Sequence, residues 1–286
     1  CLLSRGLGDV YKRQEGMRGE LRDRVASGVA WNMAEKAGSM LLQAVVSLVV
    51  LRLLMPEDLG VMAIPTVFSA LALVVVDSGF SQTLIRKDAP TQGDYKSVFL
   101  FNIVVSLLLY VLLVALAPVA ARFYDMPVLT RIAPVLFLLL PLNALCVIQN
   151  TIFTRQFRFA LISKVVFIST LAGGLVAVAM ALAGCGVWSL VGQRVTAMGT
   201  KAALFWALSD WRPRALYDGG ALRRMAPYST RLLATDLIAS VYNNISQLFV
   251  GRMYSADTLA YFNQAQKLKE LPVTGTVPVS YTHLTL

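Results

Sequence analysis

The segment "LRLLMPEDLGVM" at residues 51–62 has a counterpart, "GRMYSADTLAYF", at residues 251–262. Each segment closes one apolar run and opens the next. The correspondence extends upstream, where polar residues occupy matching positions inside the apolar runs. The aligned pairs are Arg52 with Arg252, Leu59 with Leu259, Glu57 with Asp257, Gly60 with Ala260, Gln43 with Asn243, Ser47 with Gln247, and Lys36 with Asp236. The match predicts a fold made of two similar halves.

The composition is that of a membrane protein. Of the 286 residues, 57% are hydrophobic and 15% are charged, whereas soluble domains are about 45–50% apolar and about 25% charged. Apolar runs of about 20 residues recur, and a helix of that length crosses the roughly 30 Å hydrocarbon layer of a bilayer. We therefore predict an all-α, polytopic transmembrane helix bundle. The predicted spans are residues 30–54, 60–84, 98–121, 132–152, 161–182, 188–208 and 228–253, with an eighth beginning near residue 259.

Basic residues in the loops predict the orientation. If the N-terminus is cytoplasmic, thirteen Lys and Arg residues fall in inside loops and four in outside loops. This asymmetry follows the positive-inside rule at every crossing. Six crossings separate the two copies of the repeat, so both copies run in the same direction. Parallel repeats of this kind are typical of transporters, and we expect two six-helix bundles, about twelve crossings, in the intact protein.

We assign residues 15–215 to the first six-helix bundle and residues 216–278 to the start of the second. The termini do not fit this pattern. The stretches "CLLSRGLGDVYKRQ" (1–14) and "VSYTHLTL" (279–286) resemble translated sequencing-adaptor read-through. We expect both to be artefacts, the natural protein to continue past residue 278, and the 286-residue piece alone to be inactive.

The sequence offers little for catalysis. Its one histidine, His283, excludes a histidine-based triad or a histidine-containing metal cluster. Cys1, Cys146 and Cys185 have no metal or redox spacing, and we interpret the last two as small hydrophobic residues. No phosphate-binding loop is present. We therefore expect no enzyme activity and no cofactor, and because the charge of +10 lies in membrane loops we expect no nucleic acid partner.

Two predicted spans carry a polar stripe. At 100° per residue, the stripe of the seventh span falls within about 60°, and that of the first within about 120°. The stripe residues are Asp236, Ser240, Asn243, Asn244 and Gln247 in the seventh span, and Asn32, Glu35, Lys36, Ser39, Gln43 and Ser47 in the first. A charge facing lipid would cost roughly 2.5–3.5 kcal/mol. We favour a water-filled cavity over the alternative, polar contacts across a dry helix interface.

Charged side chains in the spans suggest two roles. Cations in a cavity suit an anionic head group such as a diphosphate, although Lys164, Lys201 and Arg231 could equally snorkel to the membrane surface. Carboxylates could bind a coupling H⁺ or Na⁺, or neutralise neighbouring cations. The candidate substrate-binding residues are Lys36, Gln43, Ser47, Arg194, Arg231, Asn243, Asn244 and Gln247. The candidates for ion coupling or charge pairing are Glu35, Asp77 and Asp236.

Several motifs, in order, resemble those of bacterial oligosaccharide flippases, the polysaccharide biosynthesis transporters of the multidrug, oligosaccharidyl-lipid and polysaccharide exporter superfamily. They are "PEDLG" after the first span, "DSGFSQTLIRK" after the second, "IFTRQFRF" after the fourth and "LAYFNQAQKLKELPV" leading into the eighth. The resemblance covers residues 20–278. It is strongest for the branch that handles lipopolysaccharide and exopolysaccharide repeat units.

The resemblance implies two six-helix bundles around a polar, often cationic cavity in the bacterial inner membrane. It implies alternating access that moves undecaprenyl-diphosphate-linked oligosaccharide from the cytoplasmic to the periplasmic leaflet. Expected partners are this lipid-linked sugar, membrane lipids, and polysaccharide polymerase and chain-length proteins. Asp236 to Gln247 would line one wall of the cavity, and Lys36, Gln43 and Ser47 the opposing wall.

Alternatives remain open within the superfamily. A multidrug or cation exporter would favour a cavity rich in carboxylates and aromatic rings, and a peptidoglycan-precursor flippase would share the architecture. A membrane glycosyltransferase or polymerase would need long external loops, which the sequence lacks. Charges in two matching spans disfavour a purely structural scaffold.

Overall fold

The computed structural model describes residues 38–77, 79–214 and 218–266, and its secondary structure there is helical throughout, with no strand. The predicted all-α class is confirmed. The helices are α1 (Gly38–Leu53, as far as described), α2 (Pro56–Asp77), α3 (Phe80–Arg86), α4 (Gln92–Phe123), α5 (Leu129–Leu136), α6 (Leu139–Arg155), α7 (Phe159–Leu182), α8 (Trp188–Leu208), α9 (Gly219–Met253) and α10 (256–266).

Four helical segments of the described chain are long and apolar enough to cross a membrane. They are Pro56–Arg86, Gln92–Phe123, Leu129–Arg155 and Phe159–Leu182, and they correspond to the second to fifth predicted spans. The described part of α1 is a shorter apolar helix. Helices α8 and α9 lie where the sixth and seventh spans are predicted, but they are more polar, so their crossing stays a prediction.

The helix boundaries repeat at the offset seen in the sequence. Helix α1 ends at Leu53 and α2 begins at Pro56, while α9 ends at Met253 and α10 begins at residue 256. The two turns also contact each other. A side chain at Gly60 would collide with the Ala256 carbonyl, and a Cβ at Gly251 would lie 2.5 Å from Ile64 Cδ1. The chain therefore packs its two related turns together at one end of the bundle.

Helices α7 and α8 approach each other closely at two glycines. A Cβ at Gly173 would lie 2.6 Å from the Gln193 carbonyl oxygen and 2.8 Å from Ala197 Cβ. Gly192 of α8 faces Met180 of α7 in the same way, with Sδ 2.5 Å from the position of a Cβ. Small residues that allow such close approach are typical of helix interfaces in membranes, where apolar area alone gives no driving force. Gly173 and Gly192 thus allow α7 and α8 to pack closely.

The turn between α3 and α4 is held by Arg155 at the end of α6. Its guanidinium donates to the carbonyls of Leu84 (2.7 Å) and Lys87 (2.6 Å), which α3 leaves without helical partners. Thr91 then caps α4 through a reciprocal pair of hydrogen bonds with Asp94, which also accepts from Lys87 at 2.6 Å. Arg155, one of the basic residues assigned to the inside loops, thus also fixes the geometry of the turn between α3 and α4.

Asp218 joins the start of α9 to α4, next to the predicted boundary between the two bundles. Its carbonyl accepts from Ser97 Oγ at 2.9 Å, and its carboxylate caps Gly220 N at 2.9 Å. The hydrogen bond from Arg224 (2.7 Å) holds the pKa of Asp218 below its usual value. The first helix after the boundary is therefore anchored directly to the first bundle.

Candidate substrate cavity

A polar cavity of about 620 Å³ lies between α2, α3, α6, α8 and α9. Its walls carry charged groups, amides and hydroxyls together. The polar lining residues are Asp77, Ser81, Gln82, Asn143, Asn150, Thr151, Lys201, Asp236, Ser240, Asn243 and Asn244. A cavity of this size can hold a small sugar, because ligand pockets range over about 300–1,000 Å³.

Helix α9 contributes its predicted stripe to this cavity. Asp236, Ser240, Asn243 and Asn244 all line it, since residues three and four apart share one face of a helix. The Asn244 amide donates to the Ser240 carbonyl at 2.7 Å. Gln247, one turn further on, is instead bonded to Gln266 of α10 at 2.8 Å. The stripe thus has a cavity-facing part and a part that joins α9 to the next helix.

Three charged side chains from three helices meet in the cavity. Asp77 is the last residue of α2, where the helix dipole disfavours a negative charge. It interacts electrostatically with Lys201 of α8 and Asp236 of α9, and through a hydrogen bond with Asn143 of α6. Lys201 Nζ also lies 5.7 Å from the centroid of the Phe205 ring. The lysine compensates part of the negative charge that the two aspartates bring.

A break in the helix after Asp77 shapes the cavity wall. Gly79 has φ of 68°, a left-handed conformation that favours glycine, and α3 starts again at Phe80. A Cβ at Gly79 would lie 2.8 Å from the Ser229 carbonyl oxygen of α9. Glycine therefore allows both the change of direction and the close approach of α9. The predicted second span is accordingly two helices, not one.

The chain matches the model of a known protein family. The family model described as "Polysaccharide biosynthesis protein" matches residues 49–280 of the chain. The chain belongs to this family. That result confirms the resemblance predicted from the motifs.

The chain is also similar to curated proteins from three bacteria. It is 27% identical over 214 residues (73% of the chain, 44% of the relative) to the teichuronic acid biosynthesis protein TuaB of Bacillus subtilis. It is 21% identical over 248 residues (87% and 50%) to the succinoglycan biosynthesis transport protein ExoT of Rhizobium meliloti. It is 24% identical over 206 residues (70% and 52%) to the amylovoran biosynthesis protein AmsL of Erwinia amylovora. The chain spans about half the length of these relatives, and no solved structure matches it.

Other predicted site residues of this family member lie away from the cavity. Gln43 is exposed and Ser47 half-buried on α1, and neither belongs to the cavity lining. Arg194 is half-buried on α8 and Arg231 exposed on α9, also outside the lining. Glu35 and Lys36 lie outside the described residues. The structure therefore gathers Asp77, Asp236 and the two α9 asparagines, and the role of the remaining residues stays a prediction.

Sequence reasoning missed several residues that line the cavity. Asn143 and Asn150 of α6 line the cavity with Gln82 of α3 and Thr151. A signal for the first two was present, because residues seven apart lie two turns apart on one helix face. Lys201 was singled out, but surface snorkelling was an equal alternative. In the structure Lys201 lines the cavity.

Helices α3 and α9 also meet next to the cavity, through residues that do not line it. Thr83 Oγ1 and Ser229 Oγ are 2.8 Å apart, and Arg86 donates to the Tyr228 hydroxyl at 2.5 Å. The Arg86 guanidinium also lies 5.2 Å from the centroid of the Tyr228 ring. In the predicted topology this contact lies on the cytoplasmic side, between the first bundle and the first helix of the second.

Proposed function

We propose that the full-length protein flips undecaprenyl-diphosphate-linked oligosaccharide repeat units from the cytoplasmic to the periplasmic leaflet of the bacterial inner membrane. The flipped unit would serve lipopolysaccharide or exopolysaccharide biosynthesis. The observation that carries this proposal is a cavity with polar walls inside a bundle whose outer face is apolar. A polar route within such a bundle suits a substrate with a polar head and a lipid tail.

The physical barrier is the transfer of sugar and diphosphate through hydrocarbon. Each polar group without a hydrogen-bond partner costs several kcal/mol there. The amides of Asn143, Asn150 and Asn243 can donate to and accept from sugar hydroxyls, so they substitute for water. Lys201 offers an ammonium group to the diphosphate. Lowering this barrier requires no bond to be made or broken, so the proposed protein is a transporter and not an enzyme.

Alternating access would use the two ends of the cavity in turn. The α3–α9 contact combines the hydrogen bonds of Thr83, Ser229 and Arg86 with a hydrophobic cluster in which Ala221 and Met225 of α9 join Phe80 and Leu84 of α3. The contact between the related turns at Gly60 and Gly251 lies at the other end of α9. Movement of the second bundle relative to the first would break one contact while keeping the other.

The names of the relatives support this proposal. The Rhizobium relative is a succinoglycan transport protein, and the other two act in teichuronic acid and amylovoran biosynthesis. The rival multidrug exporter predicts both carboxylates and aromatic rings at the cavity. The described lining holds two carboxylates and a lysine but no aromatic side chain, so it meets only one part of that expectation. Membrane lipids are direct neighbours, and polymerase or chain-length proteins would act on the flipped product.

Complementation tests the function. The full-length gene is expressed in a bacterium that lacks its own repeat-unit flippase, and surface polysaccharide is measured beside the lipid-linked intermediate of the inner leaflet. We expect surface glycan to return and the intermediate to fall. Unchanged glycan with raised drug tolerance would favour the multidrug exporter, and rescue of a strain that lacks its peptidoglycan-precursor flippase would favour that rival.

A further inference from the structure

Another polar pocket, of about 720 Å³, lies where α8 ends and the chain runs on towards α9. We call it the connection pocket, and its lining residues are Gln92, Ala207, Ser209, Asp210, Trp211, Arg212 and Arg214. None of these residues lines the substrate cavity. In the predicted topology the pocket lies on the cytoplasmic side, next to the predicted boundary between the two bundles. The proposed substrate route therefore assigns no role to it.

Two tryptophans fix the wall of the connection pocket. Trp211 is buried, and its indole N–H donates to Gln92 Oε1 at 2.9 Å. Trp206, in the last turn of α8, donates to the Leu145 carbonyl at 3.1 Å. Both rings pack edge-on against Phe99, with centroids 5.6 and 6.0 Å away. Because tryptophan rings concentrate at the level of the lipid head groups, the pair favours that level for the pocket.

Arg212 is held firmly but keeps donors for a ligand. Its guanidinium lies 5.4 Å from the centroid of the Trp206 ring. It donates to the carbonyls of Trp206 (3.1 Å), Ser209 and Trp211 (2.8 Å), at the end of α8 where carbonyls lack helical partners. These bonds use three of the five N–H groups of a guanidinium. Neutral carbonyls also leave the charge of Arg212 uncancelled.

Arg214 brings a second guanidinium, which is exposed at the connection pocket. Neither Arg212 nor Arg214 takes part in the ion pairs found among the described residues. The Asp210 carboxylate, which also lines the pocket, therefore pairs directly with neither arginine. The described lining thus offers two cations to a phosphate group. Its carboxylate, amide and hydroxyl can bond to hydroxyls of the same ligand.

The surface beside the connection pocket is apolar. Leu208 is 45% exposed, and the neighbouring Ala207 is exposed within the lining. A ligand in the pocket would therefore have a polar part against the arginines and an apolar part against the end of α8. A soluble anion has no use for the second surface, whereas a lipid uses both.

We propose that the connection pocket binds the head group of an anionic phospholipid of the cytoplasmic leaflet, with its phosphodiester on Arg212 and Arg214. Phosphatidylglycerol suits the lining, because its head group combines one negative charge with free hydroxyls. Basic clusters directly cytoplasmic of a membrane helix attract anionic lipids, with a gain of about fivefold in affinity per Lys or Arg. The inference goes beyond the proposed flipping function and does not depend on it. The bound lipid would tether the connection between the two bundles to the leaflet.

Binding of single lipids to the full-length protein tests this site. The protein in detergent micelles is titrated with phosphatidylglycerol or with phosphatidylcholine of the same acyl chains. Native mass spectrometry then gives the affinity for the first bound lipid. We expect phosphatidylglycerol to bind about tenfold or more tighter, since two arginines contribute. Equal affinity for the two lipids would overturn the proposal.

Matched variants assign the preference to the connection pocket. Arg214→Gln should lower the preference for phosphatidylglycerol by about fivefold. It should leave the protein folded, because the side chain is exposed, and size-exclusion chromatography checks this. The control Arg223→Gln removes the same charge from an exposed position of α9 outside the pocket lining and should keep the preference. Equal losses in both variants would show attraction to the basic surface as a whole and would overturn the site.

Competition identifies the source of the phosphate group. We expect phosphatidylglycerol to stay bound in millimolar ammonium phosphate and in the presence of an equimolar prenyl-diphosphate-linked N-acetylglucosamine. Displacement by inorganic phosphate would indicate a site for soluble anions and overturn the lipid assignment. Displacement by the prenyl-linked sugar would make the pocket part of the substrate route and would also overturn it. Neither failure bears on the flippase proposal, which the complementation experiment tests separately.

Discussion

Helix α4 leaves a long apolar face uncovered, whereas α9 carries both exposed apolar side chains, such as Ile238 and Tyr242, and a polar stripe that lines the cavity. On α4 the exposed residues are Val104, Leu107, Leu108, Val111 and Leu112, spaced as one side of a helix. On α9 the matching positions include Asp236, Ser240 and Asn243, which line the cavity. Exposure alone thus does not distinguish a lipid-facing surface from a water-facing one. The chemistry of the side chains distinguishes the two surfaces, and substitutions on each surface test this difference.

A charge placed on each face should give the largest difference. Leu108 is 65% exposed on α4, and Leu108→Asp should lower the amount of folded protein in the membrane, because a carboxylate in lipid costs roughly 3 kcal/mol. Asn243→Asp adds the same charge at the cavity and should leave that amount near the wild-type level. Fluorescence-detected size-exclusion chromatography of membrane extracts measures both. Equal losses would break the comparison.

Removing a charge from the α9 face should affect transport and not folding. Asp236→Leu takes a carboxylate from the cavity, and we expect surface polysaccharide in a flippase-deficient strain to fall by about tenfold or more, equivalent to about 1.4 kcal/mol. The amount of protein should be unchanged. Leu112→Val on the exposed face of α4 is the matched control and should export normally. Normal export by the Asp236 variant would show that Asp236 is not needed for transport.

Labelling of Cys185 should show on which side of the membrane the turn between α7 and α8 lies, without changing transport or folding. Cys185 is exposed in the turn between α7 and α8, which the positive-inside rule places outside. With Cys146→Ala, a membrane-impermeant maleimide should label Cys185 in intact spheroplasts. Labelling only after permeabilisation would reverse the predicted topology, and with it the direction of the proposed flipping.

Much of the helix pattern was predictable, and the deviations have local causes. Helix α4 begins at Gln92, not near residue 98, because the Thr91 cap stabilises a polar first turn that apolar periodicity does not detect. Helix α9 begins at Gly219, although two glycines and Pro227 suggest an irregular segment. The Asp218 cap and its bonds to Ser97 support this extension. Hydrogen bonds of residues outside the apolar runs therefore determine where α4 and α9 begin.

The sequence predicted which face of α9 lines the cavity, but it did not predict which helices form the rest of the cavity wall. Periodicity placed Asp236, Ser240 and Asn243 on one side of a helix, and they do line one cavity. The opposing wall was expected from Lys36, Gln43 and Ser47. Lys36 lies outside the described residues, and the described part of the wall comes from α2, α3, α6 and α8, through residues such as Asn143 and Lys201. Which helices meet depends on packing between elements, such as the glycine contacts of α7 with α8, and one helical pattern carries no information about that.

The central claim is that the α9 stripe faces water within the membrane and the α4 face meets lipid. The most direct test is the reaction of Asn243→Cys and Leu108→Cys, each in a cysteine-free full-length protein, with a charged thiol reagent in native membranes. The account predicts that Asn243→Cys reacts and is protected by a prenyl-diphosphate-linked sugar, while Leu108→Cys does not react. Reaction of Leu108→Cys with no reaction of Asn243→Cys would contradict it.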